Sequence, residues 1–188
     1  MNDDETKRAN VLKGRANKAS GAKFELWLEY QHITALQLGI LAHIEKTEPR
    51  ATFVKGKLIY TAKSCADFVG VLDRCGTTIA IEAKSTKDRF YKSEVSDKQQ
   101  DHLSRVAHAG GIALLAIEFR DKLISMPLRF AIPWLSVPWR VAKTSESLTL
   151  EGLLKWPSIP ETETCYLRQF HSIGPSSTPT KRRAFARE

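Results

Sequence analysis

Two stretches decide the fold of this chain: Asp67-Phe68-Val69-Gly70 and, a short turn later, Ile81-Glu82-Ala83-Lys84. Both belong to runs rich in apolar and β-branched residues, and the turn-forming residues 73–76 between those runs predict a β-hairpin. Strand side chains alternate between faces, so Glu82 and Lys84 should lie on the same face. The opposite face, which would pack against a core, then carries Ile79, Ile81 and Ala83.

The polar residues of this predicted hairpin are two carboxylates and a lysine. Asp67 and Glu82 offer hard oxygen ligands that suit Mg²⁺, which keeps several waters and takes phosphate oxygens as further ligands. The ammonium of Lys84 would orient a water molecule or neutralise developing negative charge. The combination indicates metal-dependent cleavage of a phosphodiester. A Glu-x-Lys pattern also occurs on ordinary solvated strands, so the motif alone leaves a structural interpretation open.

Several short motifs, in this order along the chain, resemble those of the RecU-type Holliday junction resolvases, including phage-related members, in the PD-(D/E)xK nuclease superfamily. The resemblance extends from about Ala16 to Trp134. The matching motifs are Gly21-Ala22-Lys23-Phe24-Glu25, Asp67-Phe68-Val69-Gly70, Glu82-Ala83-Lys84, Gln99-Gln100-Asp101-His102-Leu103 and Gly110-Gly111-Ile112. The resemblance implies a restriction-endonuclease-like α/β fold with a mixed central β-sheet flanked by helices.

The resemblance also implies an activity. It predicts a Mg²⁺-dependent endonuclease, in which Mn²⁺ can substitute, that resolves Holliday junctions in recombination or repair and leaves 5′-phosphate and 3′-hydroxyl ends. Asp67, Glu82 and Glu25 would bind the metal, while Lys84 and Gln99 would act on the attacking water and the phosphate. Two symmetric nicks require two equivalent sites, so a homodimer is expected.

Two alternatives stay open at this stage. The first is a related phage-type nuclease that cuts linear, flapped or duplex DNA with the same catalytic residues. The second is a non-catalytic DNA-binding module that keeps the basic surface. The intact set of Asp67, Glu82 and Lys84 argues against the second.

Composition agrees with a nucleic-acid partner. The 188 residues carry a net charge of +8 with a pI near 9.5, an excess typical of proteins that bind nucleic acid, although it would also suit an anionic membrane. No apolar run is long enough to span a bilayer, and the acidic start of the chain lacks the apolar region of a signal peptide. We therefore expect a cytoplasmic protein that does not associate with membranes. The three cysteines show no Cys-x-x-Cys pairing, which argues against a disulfide framework or a zinc ribbon.

Composition shifts divide the chain into three predicted segments: a basic flexible arm at 1–19, a nuclease domain at 20–170 and a basic flexible tail at 171–188. Lys18 and Lys23 are candidates for DNA contact, and a solubilising tail is the alternative interpretation of the N-terminal arm. Ser20 is a plausible N-cap for a helix that runs to about Leu38. The apolar stripe of this helix comprises Phe24, Trp27, Leu28, Ala35 and Leu38.

Glu25 falls beside that stripe. Periodicity alone favours a solvated face for Glu25, whereas the resemblance directs its carboxylate toward the metal.

Residues 46–63, within the nuclease domain, predict a small basic hairpin with a tight turn at Lys55-Gly56. The resemblance implies that this element projects into the centre of a four-way junction. An edge hairpin protected by lysines is the structural alternative. The candidate DNA contacts here are Arg50, Lys55, Lys57 and Lys63.

The second half of the chain is predicted to complete the sheet. Ser96 and Gln99 form a capping-box pattern for a helix that ends near Ala109, so Gln99 has a structural role available beside the catalytic one that the resemblance implies. Strands are expected at 112–119 and at 122–126. We expect the aromatic residues that follow to pack in the core rather than stack on bases: Trp134, Trp139 and Trp156.

Overall fold

The computed structural model describes residues 3–171 except 49, 55–56, 63, 74–75, 121–125, 143–144 and 161–164. Its elements are α1 (Asp3–Gln37), β1 (Leu41–Lys46), β2 (Arg50–Val54), β3 (Lys57–Ala62), β4 (Phe68–Leu72), β5 (Thr78–Thr86), β6 (Arg89–Tyr91), α2 (Asp97–His108), β7 (Ile112–Phe119), β8 (Leu128–Pro133), β9 (Arg140–Ala142), β10 (Ser145–Thr149), α3 (Leu150–Leu153) and α4 (Arg168–His171). None of the described helices is long and apolar enough to cross a bilayer.

A five-stranded sheet with the order β1-β4-β5-β7-β8 forms the centre of the molecule. Strands β5 and β7 are parallel, because α2 connects them as a crossover, and the other neighbours are antiparallel. Smaller sheets comprise β6-β10-β9 and the β2-β3 hairpin. The predicted α/β architecture, a mixed central sheet with flanking helices, is confirmed.

Each face of the central sheet packs against its own hydrophobic core. Ile81 and Ala83 of β5 lie under α1, where they pack with Phe24 and Leu28. The other face of the sheet packs with Leu103 of α2 and with the small three-stranded sheet. This second core buries Trp134 and holds Trp139 and Trp156 half-buried, so the expected core role of these tryptophans is confirmed.

The predicted hairpin of β4 and β5 is also confirmed. The backbone N–H of Leu72 donates to the carbonyl of Thr77 at 2.9 Å, which closes the turn. Gly70 of β4 lies against β1, and a Cβ at this position would collide with the carbonyl oxygen of His43. Only glycine therefore permits the close approach of β4 to the edge strand.

One predicted boundary and one predicted residue of the apolar stripe were wrong, and a third prediction lies partly outside the described residues. Helix α1 begins at Asp3 rather than after an N-cap at Ser20, because the preceding alanines, lysines and arginines are good helix formers. Leu38 lies beyond the helix and is 47% exposed, so it does not belong to the buried stripe. Residues 122–125 of the predicted strand are not described, and the strand that pairs with β7 is Leu128–Pro133.

Candidate active site

Backbone pairing places Asp67 beside the middle of β5. The N–H of Asp67 donates to the carbonyl of Ile81 at 3.0 Å. The Oδ2 atom of Asp67 accepts from the N–H of Ala83 at 2.8 Å. These two contacts bracket Glu82, so the local geometry of the strands brings the two predicted carboxylates together.

Glu82 is the most completely buried acid of the site, with 0% exposure. Its Oε1 accepts from Lys84 Nζ at 2.6 Å and from Gln99 Nε2 at 2.7 Å. Its Oε2 is buried as well but has no hydrogen-bond partner among the residues that the structure describes. Two of the residues predicted from the motifs, Lys84 and Gln99, therefore contact the carboxylate of a third, Glu82.

Burial and like charge both oppose ionisation at this carboxylate pair. Burial, followed by the negative charge of Asp67, raises the pKa of Glu82 to about 7, although Lys84 acts in the opposite direction. Burial also raises the pKa of Asp67, against the hydrogen bond from Ala83. When both carboxylates are ionised, neither can donate to the other, so Glu82 Oε2 then accepts no hydrogen bond from Asp67.

Gln99 reaches Glu82 from the first turn of α2. Ser96 is the N-cap of that helix, and the predicted capping box is present. The Oε1 atom of Gln99 accepts from Ser96 N at 3.0 Å and from Ser96 Oγ at 2.8 Å. The structural role predicted for Gln99 is therefore confirmed, and the other end of its amide reaches the carboxylate pair. Its catalytic role stays a prediction.

Glu25 lies near this pair but has a different partner. Lys46, at the end of β1, forms two salt bridges: its Nζ lies 2.9 Å from Glu25 Oε2 and 2.7 Å from Glu29 Oε1. The hydrogen bond with Glu29 is the main reason that the pKa of Lys46 is raised. The charge of Glu25 contributes to the raised pKa of Asp67, so Glu25 is close to the site electrostatically. Its role as a metal ligand stays a prediction.

The donor atoms present fit a hard divalent cation. Among the described residues, no three His, Cys, Asp or Glu side chains converge as a metal-binding group. Two carboxylates do converge, and one of their buried oxygens, Glu82 Oε2, lacks a partner. Mg²⁺ commonly takes only one or two protein carboxylates, with water and substrate phosphate as its other ligands. Asp67 and Glu82 therefore suit Mg²⁺, and the same oxygen ligands also suit Mn²⁺.

The predicted DNA contacts are described only in part. Lys23 lies on α1 with its side chain exposed, and Lys18 lies on the same helix. Arg50 and Lys57 lie on the hairpin strands β2 and β3. The remaining two candidates, Lys55 and Lys63, lie outside the described residues. All six assignments stay predictions.

Fold and site together define an α/β protein with a carboxylate pair and a lysine on adjacent strands. Residues 38–152, more than half of the chain, match the family model for RecU, recombination protein U. The chain belongs to the RecU family.

A solved structure that resembles this chain is that of Archaeoglobus fulgidus Hjc, a Holliday junction resolvase from an archaeal hyperthermophile. The two chains share 17% identity with a TM-score of 0.45, over 74% of this chain and 92% of that chain. No curated protein sequence matches the chain.

Proposed function

We propose that this RecU-family protein is a Mg²⁺-dependent, structure-selective DNA endonuclease that resolves Holliday junctions by paired nicks. The observation that carries the proposal is the convergence of Lys84 and Gln99 on the buried Glu82, beside Asp67. Membership of a recombination-protein family and the net charge of +8 support DNA as the substrate.

Each residue of the site has a role that follows from its contacts. Asp67 and Glu82 would hold the metal, which when bound supplies Lewis-acid activation of water and of the phosphate. The Lys84 side chain is a quarter exposed, so its ammonium can contact Glu82 and still be reached by a substrate. Its charge there would neutralise negative charge that develops on the phosphate. Gln99 fixes the Glu82 carboxylate.

Paired nicks require two equivalent sites, which a C₂ homodimer supplies. A set of exposed apolar side chains on α1 supports this assembly, because such side chains at helical spacing suit burial against a second copy. They are Leu26, Tyr30, Ile33 and Leu36. Light scattering across a concentration series tests the assembly: the double variant Tyr30→Lys, Ile33→Lys should shift the mass toward that of a monomer, whereas a monomeric wild-type protein at all concentrations would contradict it.

Cleavage assays test the activity directly. A labelled immobile four-way junction and a linear duplex built from the same arms are incubated with the protein, in Mg²⁺, in Mn²⁺ and in chelator. We expect symmetric nicks in the junction that depend on the metal. Equal cutting of the duplex would favour a nuclease without junction selectivity, and binding without any cutting would favour a non-catalytic DNA-binding module.

Two substitutions locate the activity. Asp67→Asn and Glu82→Gln should each abolish cleavage, because each removes a metal ligand, and should leave DNA binding intact or slightly stronger, because each removes a charge that repels phosphate. Electrophoretic mobility shifts measure the binding. Near wild-type cutting by either variant in Mg²⁺ would show that the metal site is wrongly assigned.

A further inference from the structure

We propose that Ser96 is a positioning residue of the active site, which holds the side-chain amide of Gln99 in the orientation that donates to Glu82. The catalytic meaning of this inference rests on the proposed nuclease function. The contacts themselves do not, so they can be tested separately.

The geometry links three residues in a short chain of hydrogen bonds. The N–H and the Oγ of Ser96 both reach Gln99 Oε1, at 3.0 Å and 2.8 Å. At the other end of the same amide, Gln99 Nε2 donates to Glu82 Oε1 at 2.7 Å. Gln99 is 7% exposed and Glu82 is fully buried, so the contact between them is shielded from water, while the contacts with Ser96 are partly buried.

Chemistry permits only one orientation of this amide. A backbone N–H can only donate, so the atom of Gln99 that faces Ser96 N must be the oxygen. The amide nitrogen then faces Glu82, whose ionised carboxylate can only accept. In a flipped amide, the NH₂ group of Gln99 would face the N–H of Ser96, and its oxygen would face the carboxylate of Glu82. Neither pair could form a hydrogen bond. Ser96 therefore determines that Gln99 is a donor toward the carboxylate.

This orientation determines which oxygen of Glu82 is available. Gln99 and Lys84 both occupy Oε1, which leaves Oε2 as the oxygen without a partner. If Gln99 no longer donates, Lys84 alone holds the carboxylate, and its plane is free to rotate. We infer that Ser96 acts through Gln99 to keep one carboxylate oxygen of Glu82 directed at the metal.

Gln100 provides a matched control in the same helical turn. Its amide nitrogen donates to the backbone carbonyls of Val95 at 2.7 Å and Lys92 at 3.3 Å, so it anchors the start of α2 without touching a carboxylate. Gln100→Ala should weaken the helix start and leave the orientation of Gln99 unchanged.

Three substitutions at Ser96 separate positioning from simple helix capping. Ser96→Thr keeps both donors, Ser96→Ala keeps only the N–H, and Ser96→Pro keeps neither. Proline fits the backbone, because Ser96 has φ −62° and the preceding Val95 is extended. Both the Ala and the Pro variant lack the capping oxygen, and the Pro variant also loses the N–H half of the capping box. The exchange of the Gln99 amide and the double variant with Gln99→Ala, described below, therefore separate positioning from capping.

The first measurement is the single-turnover cleavage rate with saturating junction DNA. Ser96→Pro removes the contacts with Gln99 Oε1 that keep Gln99 donating to the charged carboxylate of Glu82. We therefore expect a cleavage rate about ten- to a hundredfold below wild type, equal to that of Gln99→Ala. The Ala variant should be intermediate, and the Thr and Gln100→Ala variants should stay near wild type. Junction affinity should not change in the series. In a Gln99→Ala background, Ser96→Pro should have no further effect.

The second measurement needs neither metal nor DNA. The side-chain amide signal of Gln99, identified by its absence from Gln99→Ala, should exchange slowly with solvent in the wild-type protein and in the Thr and Gln100→Ala variants. It should exchange fast in Ser96→Pro. Slow exchange in the Pro variant, or an additional loss of rate in the Gln99→Ala background, would overturn the inference.

Two further outcomes are informative. If Ser96→Pro does not fold, as judged by circular dichroism, equal exchange of the Gln99 amide in the Ala and Thr variants would overturn the role of the hydroxyl. If the wild-type protein cuts no DNA, the proposed function fails, while the exchange rates still decide whether Ser96 orients Gln99.

Discussion

At the scale of single residues, the main ionic contact of the site is the ion pair between Lys84 and Glu82. Its Nζ lies 2.6 Å from Glu82 Oε1, and its positive charge lowers the pKa of that carboxylate against the effect of burial. In the proposed mechanism Lys84 would therefore have two effects: it would favour the ionised form of a metal ligand, and it would present a cation to the substrate.

We predict that Lys84→Ala lowers the cleavage rate by about two orders of magnitude or more, the scale observed when a group that stabilises transition-state charge is removed. Single-turnover cleavage of a labelled junction measures the effect. Lys87→Ala is the matched control, because Lys87 is an exposed lysine three residues further along the chain. A decrease of equal size in both variants would assign Lys84 to general DNA attraction instead.

At the scale of elements, the β2-β3 hairpin follows directly from the strand that ends at Lys46. We predict that the triple substitution of Arg50, Lys55 and Lys57 by alanine lowers junction affinity more than duplex affinity. The resemblance implies that this hairpin projects, and a projecting hairpin would meet backbone on several sides of a junction but on only one side of a duplex. The slope of log affinity against log salt on duplex should fall by up to about three, because each of the three cations would neutralise one phosphate.

The measurement is the ratio of junction to duplex affinity at fixed salt. Removal of three exposed cations elsewhere is the control for net charge, at Arg105, Arg140 and Lys155. An unchanged ratio together with lower overall affinity would make the hairpin a general phosphate contact, and the junction-specific role would lose its support.

The contact between α1 and the C-terminal part of the described chain depends on a neutral histidine. His32 Nε2 lies 2.9 Å from the Tyr166 hydroxyl, and the His32 ring meets Phe68 edge-on. Burial lowers the pKa of His32 from 6.5 to about 4. The unfolded chain therefore binds a proton at this residue at a higher pH than the folded protein does.

The sign of the pH effect follows from this difference. Full stability is present above pH 6.5 and is lost as the pH falls toward 4, by about 3 kcal/mol from this residue. We predict that His32→Gln, which cannot titrate, flattens the dependence of the free energy of unfolding on pH across this window. Urea unfolding at several pH values measures it, and an unchanged slope in the variant would contradict the assignment.

At the scale of the whole molecule, the sequence predicted the contacts that arise between neighbouring elements. The hairpin that brings Asp67 to Glu82 and the capping box that holds Gln99 are local patterns, so alternation and cap chemistry suffice to predict them. Helix α1 was placed too late in the sequence because a good N-cap residue does not end a helix whose preceding residues also favour one.

Long-range pairs could not be predicted in the same way. Lys46 was counted as part of a basic hairpin, yet it holds Glu25 and Glu29 on α1. Arg129 on β8 pairs with the buried Glu118 at 3.1 Å and stacks 4.3 Å from the ring centre of Trp27. Nothing in the spacing of these residues indicates such contacts, because they depend on how the sheet and the helix pack.

The unpartnered oxygen of Glu82 has a consequence for handling the protein. Burial and the negative charge of Asp67 both oppose ionisation of Glu82, so we expect the carboxylate pair to destabilise the metal-free fold. We predict that in chelator Glu82→Gln melts at a higher temperature than wild type, because a neutral amide can donate to Asp67. A lower melting temperature would argue against this destabilisation. A Glu82→Gln variant that is inactive and melts at a higher temperature than wild type would be the form best suited to crystallising a complex with uncut DNA.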